Sequence, residues 1–154
     1  EVWVIPHSYS TAENSTELGD LIYRFGNPQA YDSAAERIFY NNHQPTLVEH
    51  DPLTSGRFLI FSNGYDDKQS NVYELRLPTI FNEDPSLWIL PEITWTFTHP
   101  DLYFGVISGA YRLPNGNTLI CEGDYGYWEV SRTGDVVWKF NGGGSYFWRG
   151  YVYP

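Results

Sequence analysis

NNHQPTLVEHDPLTSGRFLIFSNG, residues 41–64, contains two strand-like runs joined by a turn-rich loop. The first, Gln44 to Val48, directly follows His43. The second, Arg57 to Phe61, is rich in β-branched and aromatic residues and has turn formers at both ends, so it reads as the hairpin partner of the first. A histidine therefore stands where a sheet begins, and from that point onward the chain repeats itself.

Four strand-like runs recur in the same order: Gln44 to Val48 with Ala110 to Leu113, Gly56 to Phe61 with Gly116 to Cys121, Val72 to Leu75 with Tyr127 to Val130, and Ile93 to Phe97 with Val136 to Phe140. A Pro-rich insert, Pro78 to Pro91, lengthens the first unit. In the second, Leu113-Pro114-Asn115-Gly116-Asn117 and Thr133-Gly134-Asp135 mark tight hairpins. Self-similarity at about 40 to 50 residues is the mark of four-stranded propeller blades. We expect an all-β fold of β-propeller blades, each of four antiparallel strands: full blades at 43–98 and 107–140, the outer part of another at 1–28, and the inner strand of a further one at 146–154. The whole of 1–154 then reads as one partial propeller domain of about three blades, whereas closed rings have about four to eight. A short helical turn is expected around Ser33-Ala34-Ala35-Glu36.

Composition agrees with many short strands. Aromatic residues make up 18% of the 154 and hydrophobic residues 42%, with Gly 14 and Pro 10, and flat rings fill sheet-to-sheet spaces while Gly and Pro shape turns. The formal net charge of −10 opposes binding to nucleic acid or an anionic membrane. No run of 18 apolar residues is present, so no membrane span is expected. The single cysteine, Cys121, excludes an internal disulfide framework and reads as a buried thiol. The chain has no methionine and opens on Glu1 inside the apolar pattern Val2 to Ile5, which reads as an internal portion of a longer polypeptide.

The first residues of each inner strand of a propeller converge near the central channel. His43, Ser108 and the segment Phe147-Trp148-Arg149 hold those places. A histidine nucleophile with a hydroxyl and an arginine around it is what transfer of an anionic group requires. Each residue also has a plain structural role open to it: a histidine bonding a carbonyl, an ion-paired arginine, a strand-end hydroxyl. His7, His50 and His99 read as loop residues, and no paired His or Cys spacing calls for a transition metal. Asp66-Asp67 could hold calcium but reads more simply as a solvated turn. Asn14-Ser15-Thr16 has the form of a glycosylation acceptor. Glu74, Glu122, Asp124 and Glu129 lie in or near strands without a spacing that selects a catalytic pair. Phosphate loops and the Gly-x-Ser-x-Gly elbow are absent, so no cofactor is expected.

Gly19-Asp20-Leu21-Ile22-Tyr23-Arg24-Phe25-Gly26-Asn27-Pro28, His43, Phe58-Leu59-Ile60-Phe61-Ser62-Asn63-Gly64 and the run Ile107 to Gly123 together resemble the arylsulfotransferase family, in order and over nearly the whole chain. The resemblance implies a six-bladed propeller, bacterial and periplasmic or secreted, that moves a sulfuryl group from an aryl sulfate to a phenolic acceptor through a sulfo-histidine. It places the nucleophile at His43 and a site cation at Arg149, with Ser108, Trp148 and Asn63 as substrate-binding residues. The family's other site histidine, with an asparagine and an arginine, falls before Glu1, and Gln44-Pro45-Thr46 departs from the small and aromatic residues usual after the nucleophile. Two other readings stay open: a noncatalytic propeller binding an aromatic or carbohydrate ligand, and an assembly module whose copies complete a ring as a homo-oligomer.

Overall fold

The computed structural model describes residues 1–5, 21–32, 35–49, 51, 53–54, 56–65, 68–79, 81, 84 and 88–152. They form ten antiparallel strands in three sheets, with no α-helix among the described residues. The chain divides into two compact units, one of residues 1–39 and 78–91, the other of 40–77 and 92–154. The Pro-rich stretch, expected as an insert of the first blade, thus groups with the N-terminal residues.

The smaller unit holds a two-stranded sheet of β1 (Val2–Val4) and β2 (Tyr23–Phe25). Its centre is aromatic because Tyr23 and Phe25 occupy the inward phase of β2 and meet Phe39, Phe81 and Trp88 at ring distances of 5.3–6.3 Å. Gly26 takes φ +112, and a Cβ there would strike the Phe39 ring, so the β2 end needs a glycine on two counts. The Tyr23 hydroxyl donates to the Ile89 carbonyl at 2.7 Å. A single 3-10 turn, Pro28–Tyr31, lies just ahead of the expected one; Pro28 presets its first φ. Ser33 and Ala34 fall outside the described residues.

The larger unit holds two four-stranded meanders. The first runs β3 (Asn42–Leu47), β4 (Phe58–Ser62), β5 (Asn71–Arg76) and β6 (Glu92–Thr98). The second runs β7 (Gly109–Arg112), β8 (Thr118–Glu122), β9 (Gly126–Val130) and β10 (Val136–Asn141). Each is ordered in space as in sequence. The strands follow the sequence pattern to within two residues at their ends. In the first sheet Phe61 faces Val72 and Val72 faces Phe97; in the second Cys121 faces Tyr127 and Tyr127 faces Phe140. The repeated runs are therefore structural equivalents. No strand forms over 146–152, where the inner strand of a further unit was expected, because no described segment supplies a ladder for it to join.

Alternation decides what lies between the two sheets. Leu59, Phe61, Val72 and Phe97 from the first pack with Ala110, Ile120, Trp128 and Val130 from the second, with β7 seated against β3 and β4. Glu74 lies in register with Leu59 and Trp95 and so faces the same way. Its carboxylate takes Nη2 of Arg112 at 2.6 Å from the opposite sheet, Nη1 of Arg57 at 2.7 Å and the Thr94 hydroxyl at 2.7 Å. Burial pushes this carboxyl up, but those hydrogen bonds and the Arg112 charge outweigh it and hold it below the usual range. Arg112 also donates to the Thr118 hydroxyl and the Gly116 carbonyl, and its guanidinium lies 5.0 Å from the centre of the Trp95 ring.

A second clasp joins the loops. Asp51, in the β3–β4 connection, accepts from Arg132 of the β9–β10 turn, from the Thr54 hydroxyl and from the Leu53 N–H. The Trp95 indole N–H donates to the Arg132 carbonyl at 2.9 Å.

Two outcomes are expected. Glu74→Gln should cost about 3–5 kcal/mol in chemical denaturation, since it leaves the buried Arg112 charge without its carboxylate; Arg112→Met should cost less, since Glu74 keeps Arg57; and Glu74→Leu with Arg112→Met should cost less than Glu74→Gln alone. Burial raises the Asp51 carboxyl, but its hydrogen bonds, Arg132 first, hold it at about 2 against an ordinary 3.8. The folded value is depressed, so this stabilisation is complete above 3.8 and is lost as pH falls from there towards about 2. Asp51→Asn should be less stable than the parent at neutral pH, and the gap in denaturation midpoints should close across that acid window.

Candidate functional site

His43 is the second residue of β3, opposite Phe61, on the face turned to the second sheet. It is half-buried. Burial first, and then the positive charge of Arg149, hold its imidazole below the ordinary 6.5. At neutral pH it is uncharged, and its ring nitrogen is available as a nucleophile or base.

The backbone around it is unusual. Asn41 (φ +51) precedes β3, Gln44 (φ +48) follows His43, and the β3–β4 register breaks between His43 and Thr46. Pro45 has no N–H to give a ladder and so is confined to an edge strand or a bulge; here it has both, since β3 is the edge of its sheet. At the same place in the second sheet Ile107 (φ +49) and Ser108 (φ +88) turn the chain into β7.

The other expected site residues fall into two groups. Ser108 is buried, and its hydroxyl accepts the Gly123 N–H at 3.0 Å. Asn63 is fully buried and donates its amide to the carbonyls of Phe104 and Ile107 at 2.5 and 2.8 Å. Both residues thus hold the connector between the sheets. Trp148 and Arg149 are exposed. Arg149 borders a cleft of about 460 Å³ on the outer face of the second sheet, with Leu119, Tyr127, Trp138, Gly150 and Tyr151 as the remaining walls. The guanidinium of Arg149 has no ion-pair or hydrogen-bond partner among the described residues. Every other arginine holds a carboxylate or, for Arg37, the Phe39 carbonyl.

Sequence reasoning did not single out the cleft walls. Their signal was there in the phase of β8, β9 and β10: Leu119, Tyr127 and Trp138 occupy the face opposite to Ile120, Trp128 and Val130. Trp138 and Phe140 stack at 6.1 Å and 14°, both about half exposed.

The carboxylates are occupied otherwise. Glu74 is the inter-sheet anchor. Glu122 is buried and accepts the Trp128 indole N–H at 2.7 Å and the Tyr103 N–H at 3.1 Å; burial, chiefly, raises its carboxyl. Glu129 accepts from Asn115 and Asn117. Burial pushes the Cys121 thiol up to about 12. His99 takes the Asp101 N–H on Nδ1 and meets the Trp128 ring edge to face. His7, Asn14, His50, Asp66 and Asp67 lie outside the described residues. No group of three metal-ligating side chains occurs among the described residues, and no helix there is long and apolar enough to cross a membrane.

Removing the Arg149 charge should ease protonation of His43. In an NMR titration Arg149→Gln should move the His43 midpoint upward while burial keeps it below 6.5; an unmoved midpoint would separate the two residues.

Compared with family models, with curated proteins and with solved structures, the chain matches none.

Proposed function

We propose that the chain is part of a β-propeller of the arylsulfotransferase kind, and that His43 carries a sulfuryl group from an aryl sulfate to a phenol. Support for the propeller comes from the two like meanders, packed face to face with β7 seated against β3 and β4. The observation that carries the chemistry is the half-buried His43, whose imidazole is held below the ordinary 6.5 by burial first and then by the charge of Arg149, an arginine on an aromatic-walled cleft with no ion-pair partner among the described residues.

In this reading an imidazole nitrogen attacks sulfur as the S–O bond to the aryl group breaks, and the phenolate leaves with that electron pair. The acceptor phenol then attacks the same sulfur, the S–N bond breaks, and neutral imidazole returns. The proton of the acceptor passes to the departed phenolate or to solvent. Arg149 offsets the charge of the sulfuryl oxygens in both steps. No nucleotide and no metal take part, and the setting is the periplasm or the cell exterior of a bacterium.

A second reading has an observation of its own. The stacked, half-exposed Trp138 and Phe140 beside Tyr127 make a flat platform on which an aromatic or carbohydrate ligand would lie without reaction. One variant divides the two. His43→Asn, in the polypeptide as its source produces it, should abolish transfer from a chromogenic aryl sulfate and remove the SO3 mass increment from the peptide that carries residue 43. Ligand binding, followed by tryptophan fluorescence, should persist. Transfer that survives His43→Asn would overturn the nucleophile assignment.

A further inference from the structure

Gln44 follows the candidate nucleophile and is the least ordinary residue near it. Its φ of +48 is a conformation that side chains other than glycine adopt at a cost, one usually kept where the surroundings enforce it. Both polar atoms of its amide are shielded from solvent and have no hydrogen-bond partner among the described residues. An unsatisfied buried amide is destabilising, so the placement of this side chain is maintained by fit rather than by bonding.

The fit is to Gly109. A Cβ built on Gly109 would fall on the Gln44 Oε1, with Cδ and Cβ of Gln44 also too close. The missing side chain is the notch the amide occupies. Gly109 is itself well anchored: it opens β7 in register with Cys121, directly after the left-handed pair Ile107 and Ser108. Those two residues are tied by the Asn63 amide to the Ile107 carbonyl and by the Gly123 N–H to the Ser108 hydroxyl.

We propose that Gln44 is a positioning residue: its carboxamide, lodged in the notch at Gly109, holds the bulge that sets where His43 stands. The second sheet thereby fixes a residue of the first. The sulfuryl-transfer reading supplies only the reason why His43 must be held, and the test does not depend on turnover.

The test is an NMR titration of the His43 imidazole, assigned by its loss in His43→Asn, with Arg149 as the neighbouring charge that reports its position. The parent should titrate below 6.5. Gln44→Ala should move the midpoint towards 6.5, and Gln44→Met, which keeps length and shape, should restore it. Gly109→Ala should also move it, and that effect should vanish in the Gln44→Ala background, because residues acting through one contact are not additive. If Gly109→Ala does not fold, the Ala and Met variants at 44 decide alone. The proposal is overturned by a parent midpoint in Gln44→Ala, by a shift that Met fails to restore, or by a Gly109→Ala effect of equal size with and without the Gln44 side chain. A parent that shows these midpoints but transfers no sulfuryl group would count against the enzyme reading and leave the positioning role standing.

Discussion

The contact between Glu74 and Arg112 is the constraint on which the larger unit rests. Two sheets held only by aliphatic and aromatic side chains can slide, because apolar packing is non-directional. A carboxylate and a guanidinium facing each other across that interface accept a single offset. The pair is made tolerable by Arg57, Thr94 and Thr118, which take up the remaining lone pairs and N–H groups, and by the Trp95 face beneath the guanidinium. Within the pair, Nε of Arg112 goes unpartnered among the described residues. A buried pair of this kind adds little net stability over an apolar replacement; we read its role as setting alignment. That alignment brings Gly109 opposite Gln44.

The strands were legible in the sequence, and the connections between sheets were not. The apolar runs in Phe58 to Ser62 and Thr118 to Glu122, bounded by turn residues, and the hairpin residues Pro114-Asn115-Gly116 and Thr133-Gly134-Asp135, specify local ladders by short-range geometry. The equivalence of Phe61 with Cys121 and of Phe97 with Phe140 followed from the repeat of such runs. Glu74 and Arg112 offered only a hint: each is a charge on the inward phase of an apolar strand. Nothing local says that two such charges, one per sheet, will meet. Pro45 likewise hinted at an irregular edge, but the left-handed Gln44 and its notch depend on a residue far away in sequence.

The site was legible in parts. His43 was found from its place at the head of a strand, and Arg149 from the basic-aromatic run that holds it. Ser108 looked like a ligand-binding group because polar residues at the start of inner strands face a channel in the expected architecture, and Asn63 because the family resemblance implied it. Yet such ends are also where the chain turns in left-handed conformations and leaves backbone groups to be satisfied, and the amide of Asn63 and the hydroxyl of Ser108 meet that need. The cleft walls were hidden by an ambiguity of pattern, since Tyr127 and Trp128 are both large and aromatic, and only the sheet-to-sheet packing tells the core side from the open side.

The unpaired Arg149 has a kinetic consequence. With 19 acidic against 9 basic residues, and the other arginines engaged, the long-range field around the chain is negative and repels an anion at distances where one cation is not yet felt. Mobile salt shortens the reach of that field to about 8 Å at physiological ionic strength. An anionic ligand of the cleft would therefore meet a barrier to approach and an attraction on arrival. Its association would quicken with added salt, the reverse of steered encounter between opposite charges, while direct contact with the guanidinium would change less.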